Sequence, residues 1–344
     1  MKRRFLLLGL RVAKRFGLFR LARRLTARDL RILCYHGASV DDEHLFRPGL
    51  FITEETFVRR MAHLASEGYP VLTLDAALDS LRNGCLPSGA TVITIDDGWY
   101  GTYKIMGPVL KRHQFPATLY LASYYITKAV QVFNVALDYI LWKGRNCSLD
   151  LSRVANGISG THELASDSAR QQAYRVLSDF SKSLSDAQAC QQLLHRVCDC
   201  LGLDWRVMKL KRLCYFMSAD EAGKLLEQGI DLQLHTHRHR SPTASFYQAK
   251  IEIDDNRQVV GSISHGRKLK HFCYPSGASS AHQAKWLREL GIDTATTTKG
   301  GFNTRRTSPY ELRRFLDSER ISMLEFEAEM SGFFELFRRC GYSI

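Results

Sequence analysis

Residues 91–98 read Thr91-Val92-Ile93-Thr94-Ile95-Asp96-Asp97-Gly98: five β-branched residues running into two acids and a glycine. β-Branched side chains suit a covered, pleated backbone, so the stretch predicts a buried strand with Asp96 and Asp97 at its end. Gly98 then lets the chain turn sharply away. Two adjacent carboxylates at the carboxyl end of an inner strand are costly to hold together unless a positive group lies between or beside them. In a barrel of alternating strands and helices, that end is also where reaction chemistry is placed. Asp-Asp-Gly is equally an ordinary turn. A second polar cluster lifts it above that.

That cluster is Leu232-Gln233-Leu234-His235-Thr236-His237-Arg238-His239, where a short apolar strand again runs into ionisable residues. His235 and His239 are four apart, so on a helical turn both point to one side, as a divalent metal requires. Beside the acid pair they make a site of two histidines and one carboxylate, with a position left open for water. His237 and Arg238 read as a solvated basic loop.

These stretches resemble the polysaccharide deacetylases that share the NodB homology domain (carbohydrate esterase family 4). The family's Thr-Phe-Asp-Asp-Gly motif is similar to Thr94-Ile95-Asp96-Asp97-Gly98, and its His-Ser/Thr-x-x-His motif to His235–His239. A third motif is present in weakened form as Phe272-Cys273-Tyr274-Pro275-Ser276-Gly277, and Tyr35-His36, Phe115-Pro116-Ala117-Thr118 and Ala295-Thr296-Thr297 match flanking pieces. The likeness covers roughly residues 30–123 and 213–320, in the family's order. It implies an α/β fold, a distorted (β/α) barrel of the polysaccharide deacetylase type with a helical insertion.

The resemblance also implies a division of labour. A divalent metal, zinc by expectation, is held by Asp97, His235 and His239, where it acidifies a water and polarises the acyl oxygen. Asp96 stays free of the metal as general base. The backbone amide of Tyr274 is the second oxyanion donor. No histidine follows His282, so the family's late Leu-x-His motif is missing. In the branch whose domain begins with a Tyr-His strand the early histidine takes its role, which makes His36 the general acid. The third motif also lacks the arginine that orients the base, and Arg314 is its expected replacement from the last strand. The expected substrate is an acetylated polysaccharide, oligosaccharide or glycolipid precursor. The competing reading is a membrane-peripheral glycan-binding protein that kept the barrel and lost turnover.

Around these motifs the chain divides into four parts: a basic amphipathic helix over 1–29, the barrel over 30–123 and 213–325, a helical insertion over 124–212, and a terminal helix over 326–344. Strands are expected at 31–36, 71–74, 117–122 and 294–298, and helices at 54–68, 75–83, 103–113, 254–263, 279–290 and 323–339. Well over a hundred positions separate Asp97 from His235, and the excess lies in the insertion, read either as a substrate-selecting lid or as a packing and oligomerisation element.

The 344 residues carry a formal charge of +13. Ten basic residues fall between Lys2 and Arg28, with no acid before Asp29, so the remainder is near neutral and no nucleic-acid surface is indicated. Residues 1–28 interleave those bases with large apolar side chains, too briefly for a spanning helix. They predict a helix that lies on an anionic membrane surface, or one packed on the barrel, and its two faces are not cleanly separated. Nine cysteines without a disulfide pattern or export signal fit a reducing cytoplasm, peripheral to the inner membrane in the first case. His195, Cys198 and Cys200 fall in an apolar helical pattern without a fourth ligand and read as thiols rather than a metal cluster.

Overall fold

The computed structural model describes residues 2–241 and 245–342. Seven strands form one parallel sheet: β1 (Arg31–Tyr35), β2 (Thr91–Asp97), β3 (Ala117–Leu121), β4 (Ile230–Leu234), β5 (His271–Cys273), β6 (Thr294–Thr296) and β7 (Phe315–Leu316), in the order β6-β5-β4-β3-β2-β1-β7. Every residue of β1, β2 and β3 is buried, as expected where helices cover one face of a parallel sheet and the other faces the interior. The two edges meet. Leu33 pairs with Phe315 on one side, while Thr296 bridges Leu312 and the Arg314 amide donates to Lys299 on the other. The last strand thus curls the sheet into a barrel, with its carboxyl-end loops at one mouth.

Several elements depart from their expected bounds. The strand expected at 71–74 is absent: only Val71 bridges Thr91, because Thr73 already caps the helix Leu74–Asn83 by accepting from the Ala76 amide. The helix expected at 254–263 starts earlier, spanning Phe246–Ile263 under a Ser245 cap. The terminal helix is two helices, Met323–Met330 and Phe333–Arg339, broken at Gly332. Gly332 has φ of +83°, and a Cβ there would lie 2.3 Å from Thr26 Oγ1, so neither the turn nor the contact admits another residue easily.

The amino-terminal segment is likewise two helices, Lys2–Arg15 and Leu18–Leu25, bent at Gly17. Leu10, Ala13, Phe19 and Ala22 are buried, and the first three cluster with Ala328 and Phe334 of the terminal helices. Arg3 pairs with Glu325 at 2.9 Å and Lys14 with Glu327. This segment is therefore part of the fold.

The insertion holds the helices Tyr124–Lys128, Phe133–Lys143, Asp167–Ser181, Ala187–Cys200 and Trp205–Lys211. It is not wholly helical, since Ser148–Asp150 and Thr161–Glu163 pair as an antiparallel ribbon. Its buried residues, among them Leu137, Leu141, Leu177 and Leu194, share one apolar cluster with the barrel's Ile95 and Leu119. Barrel and insertion have a common core.

Candidate metal centre and active site

Asp96 and Asp97 end β2 at the barrel mouth, both buried. Asp97 has φ of +76°, a left-handed conformation uncommon outside glycine. The following Gly98 also has positive φ, and a Cβ on it would meet Leu121 Cδ1 at 2.5 Å. Asp97 Oδ1 lies 3.2 Å from His235 Nε2 and 3.2 Å from His239 Nε2, and neither reaches it with hydrogen-bond geometry. Its other oxygen accepts from Trp99 Nε1 at 2.8 Å.

The two histidines do not converge through a helical turn. They sit in a loop after β4, with Thr236 and His239 at left-handed φ. The helix Phe246–Ile263 holds that loop from behind: Asn256 accepts from the His235 amide at 2.9 Å, and Glu252 takes the Arg238 amide and guanidinium at 2.8 and 2.9 Å. Arg238 is thus paired rather than solvated, and His237 turns away to Ser123 at 2.9 Å.

The second nitrogen of His235, Nδ1, is 2.8 Å from the Cys273 carbonyl. A carbonyl can only accept, so Nδ1 carries the proton. In the neutral ring Nε2 then presents a lone pair to the orphaned Asp97 oxygen. Acceptor facing acceptor in a buried site calls for a cation between them. The donor set of two imidazoles and one carboxylate fits a divalent metal.

Two further triads crowd the same floor, Cys34–His36–Asp96 and Asp96–His235–Cys273. Asp96 is unavailable to a second cation. Arg314, fully buried, grips it at both oxygens, 2.7 and 2.8 Å, and is itself fixed by the Thr297 carbonyl at 2.9 Å and Thr94 Oγ1 at 3.1 Å. Burial opposes the ionised Asp96, yet Arg314 outweighs it, and the carboxyl falls far below its usual range. His36 Nε2 lies 4.0 Å from Asp96 Oδ2, with its ring partly open to the mouth.

One expected role does not survive. The Tyr274 amide donates to the Thr296 carbonyl at 3.1 Å. An amide has a single proton, so this donor is spent in the sheet and does not face a substrate oxygen. Residues the motifs did not reveal are Trp99 on Asp97, Cys34 and Cys273 with sulfurs 3.5 and 3.3 Å from Asp96, and Asn256 and Glu252 behind the histidine loop. The last two carried a weak signal, as polar residues four apart on a helix face that is otherwise apolar. His195 stacks on Trp205 at 3.9 Å, apart from the site.

A cavity of about 660 Å³ opens beside Asp97 and His239. Trp99 and Phe216 form its barrel wall, while Tyr125, Phe133, Ser181 and Lys182 of the insertion form the other.

Residues 203–295 match the family model described as polysaccharide deacetylase. Among solved structures the fold is similar to the Streptococcus pyogenes deacetylase PplD, determined with acetate, at 15% identity and a TM-score of 0.59, covering 88% of this chain and 98% of that one. It is similar also to IcaB from Ammonifex degensii (16%, TM-score 0.56, 88% and 97% covered) and to the de-N-acetylase of Aggregatibacter actinomycetemcomitans (14%, TM-score 0.56, 88% and 99% covered). No curated protein matches the chain. The fold is that of the polysaccharide deacetylases. The matched residues include His235–His239, and the stretch Thr94–Gly98 lies outside them; both reach the barrel mouth.

Proposed function

We propose that this protein is a metal-dependent hydrolase that removes N-acetyl or O-acetyl groups from a polysaccharide, oligosaccharide or glycolipid precursor. The observation that carries the reading is the orphaned Asp97 oxygen between two imidazole nitrogens, beside an Asp96 that a buried arginine holds in place. Asp97, His235 and His239 would hold the ion, and zinc suits their mixed nitrogen and oxygen donors. When bound, it supplies an electrophile for the acyl oxygen and acidifies a water.

Asp96 is the general base. Arg314 fixes its orientation and keeps it ionised, and a carboxylate stabilised so strongly takes up only a proton that is already acidified. His36 stands on the open side of Asp96, where its imidazole can hand a proton to a departing amine. The aromatic walls of the cavity offer flat apolar faces to sugar rings, and the insertion selects among them.

A second reading, a glycan-binding protein without turnover, draws on the spent Tyr274 amide, which leaves the oxyanion one expected donor short. Acetate release from N-acetylated oligosaccharides separates the two. Release that stops with a chelator and returns with added zinc is expected. If zinc-loaded protein binds N- and O-acetylated glycans but frees no acetate, the binding reading stands instead.

A further inference from the structure

The two amino-terminal helices present three faces. One packs on the terminal helices through Leu10, Ala13 and Phe19. On the first helix, Phe5, Leu8 and Val12 recur at helical spacing on the side opposite Leu10, and Phe16 follows in the turn after it; all are exposed, Phe16 by 75%. Leu18, Leu21 and Leu25 continue the exposed apolar row along the second helix. A soluble surface rarely keeps such a row uncovered.

The third face is basic, and its cations differ in their partners. Arg3, Lys14 and Arg23 reach Glu325, Glu327 and Glu67. Arg4, Arg11, Arg15, Arg20 and Arg24 flank the apolar row and form no salt bridge among the described residues.

We infer that this row and its unpaired arginines form a docking surface for an anionic lipid bilayer. The apolar row sinks to the acyl boundary while the arginines stay at headgroup level. A second copy of the chain is a poorer occupant, because a two-fold contact sets these arginines against their own counterparts. The surface is independent of the deacetylase chemistry.

Co-sedimentation of the full chain with vesicles tests it. Phosphatidylcholine vesicles containing phosphatidylglycerol should bind the protein at low salt, with much weaker binding to phosphatidylcholine alone and loss at high salt. Arg11→Gln and Arg15→Gln should each lower the partition constant about fivefold, whereas Lys14→Gln, already paired with Glu327, should change it less. Phe16→Ser should lower it about tenfold, with an unchanged melting temperature showing that the fold is intact. The inference is overturned by absence of binding at low salt, by equal binding to both vesicle types, or by a lipid-free dimer that Phe16→Ser dissolves.

Discussion

Asp96 and Asp97 are the same residue type, one bond apart, both buried at the end of one strand, and their surroundings use them in opposite ways. Asp96 has both oxygens taken by a permanent cation. Asp97 has one oxygen held by Trp99 and the other left facing two imidazole nitrogens without a hydrogen bond. Successive strand residues normally point to opposite faces. The left-handed backbone at Asp97 breaks that alternation, and both acids come within reach of His235. A charge satisfied from within the chain gives a fixed group, and one left unsatisfied gives a ligand.

The largest expected effect breaks the Asp96 side. Asp96→Asn keeps the shape but cannot accept a proton, so kcat/KM for acetate release should fall by roughly two to four orders of magnitude with the metal retained. The change leaves Arg314 a buried, unpaired cation, so the assay belongs well below the lowered melting temperature, with metal content measured alongside. Loss of metal together with activity would place Asp96 among the ligands and end the contrast.

Arg314→Gln breaks the same pair from the other end, and its loss appears as stability. Removing one partner of a buried ion pair costs about 3–5 kcal/mol, measurable by denaturant unfolding of metal-free protein. The pH dependence should also reverse. In the native chain the Asp96 carboxyl lies below its unfolded value near 4, so its contribution is complete above that pH and fades on acidification. Without the arginine burial dominates and the carboxyl rises above the unfolded value, so the variant should lose stability as pH rises from about 4. Parallel stability curves for the two proteins would refute this account of the pair.

Variants around Asp97 sharpen the other side. Trp99→Phe keeps an aromatic wall but removes the donor that orients Asp97, and metal affinity should drop about 10- to 100-fold in a competition titration. The control is His237→Ala: its ring is turned to Ser123, so metal binding and activity should stay close to those of the unaltered chain, whereas His235→Ala should abolish both. Equal losses from the two histidine variants would mean that the loop, rather than these particular rings, makes the site.

Much of this was legible before any coordinates. The β-branched run of β2 and the apolar run before His235 marked two inner strands and the polar residues at their ends, because parallel strands covered on both faces carry little else. Arg314 was legible only through what the Tyr274 motif lacked. The route by which His235 and His239 converge was not, since four-residue spacing speaks of a helix and the loop uses left-handed backbone at Thr236 and His239 instead. The spent Tyr274 amide was hidden for a similar reason: which partner an amide finds depends on the neighbouring strand. At the amino terminus the faces looked unsegregated because the helix has three, with Leu10 and Phe16 apolar on opposite sides.

The strap that shuts the barrel also sets a timetable. The segment that joins β1 to β6 is made after the other six strands, and it brings Arg314. Helices from residues 2–25 pack their buried apolar side chains on residues 323–339. Contacts spanning nearly the whole chain form slowly, since their loops must close before any contact rewards them. A nascent chain emerging from the ribosome therefore holds Asp96, Asp97, His235 and His239 well before the arginine that grips Asp96. The site is complete only when that segment returns to β1, and chains cut short before residue 314 lack the cation that holds Asp96.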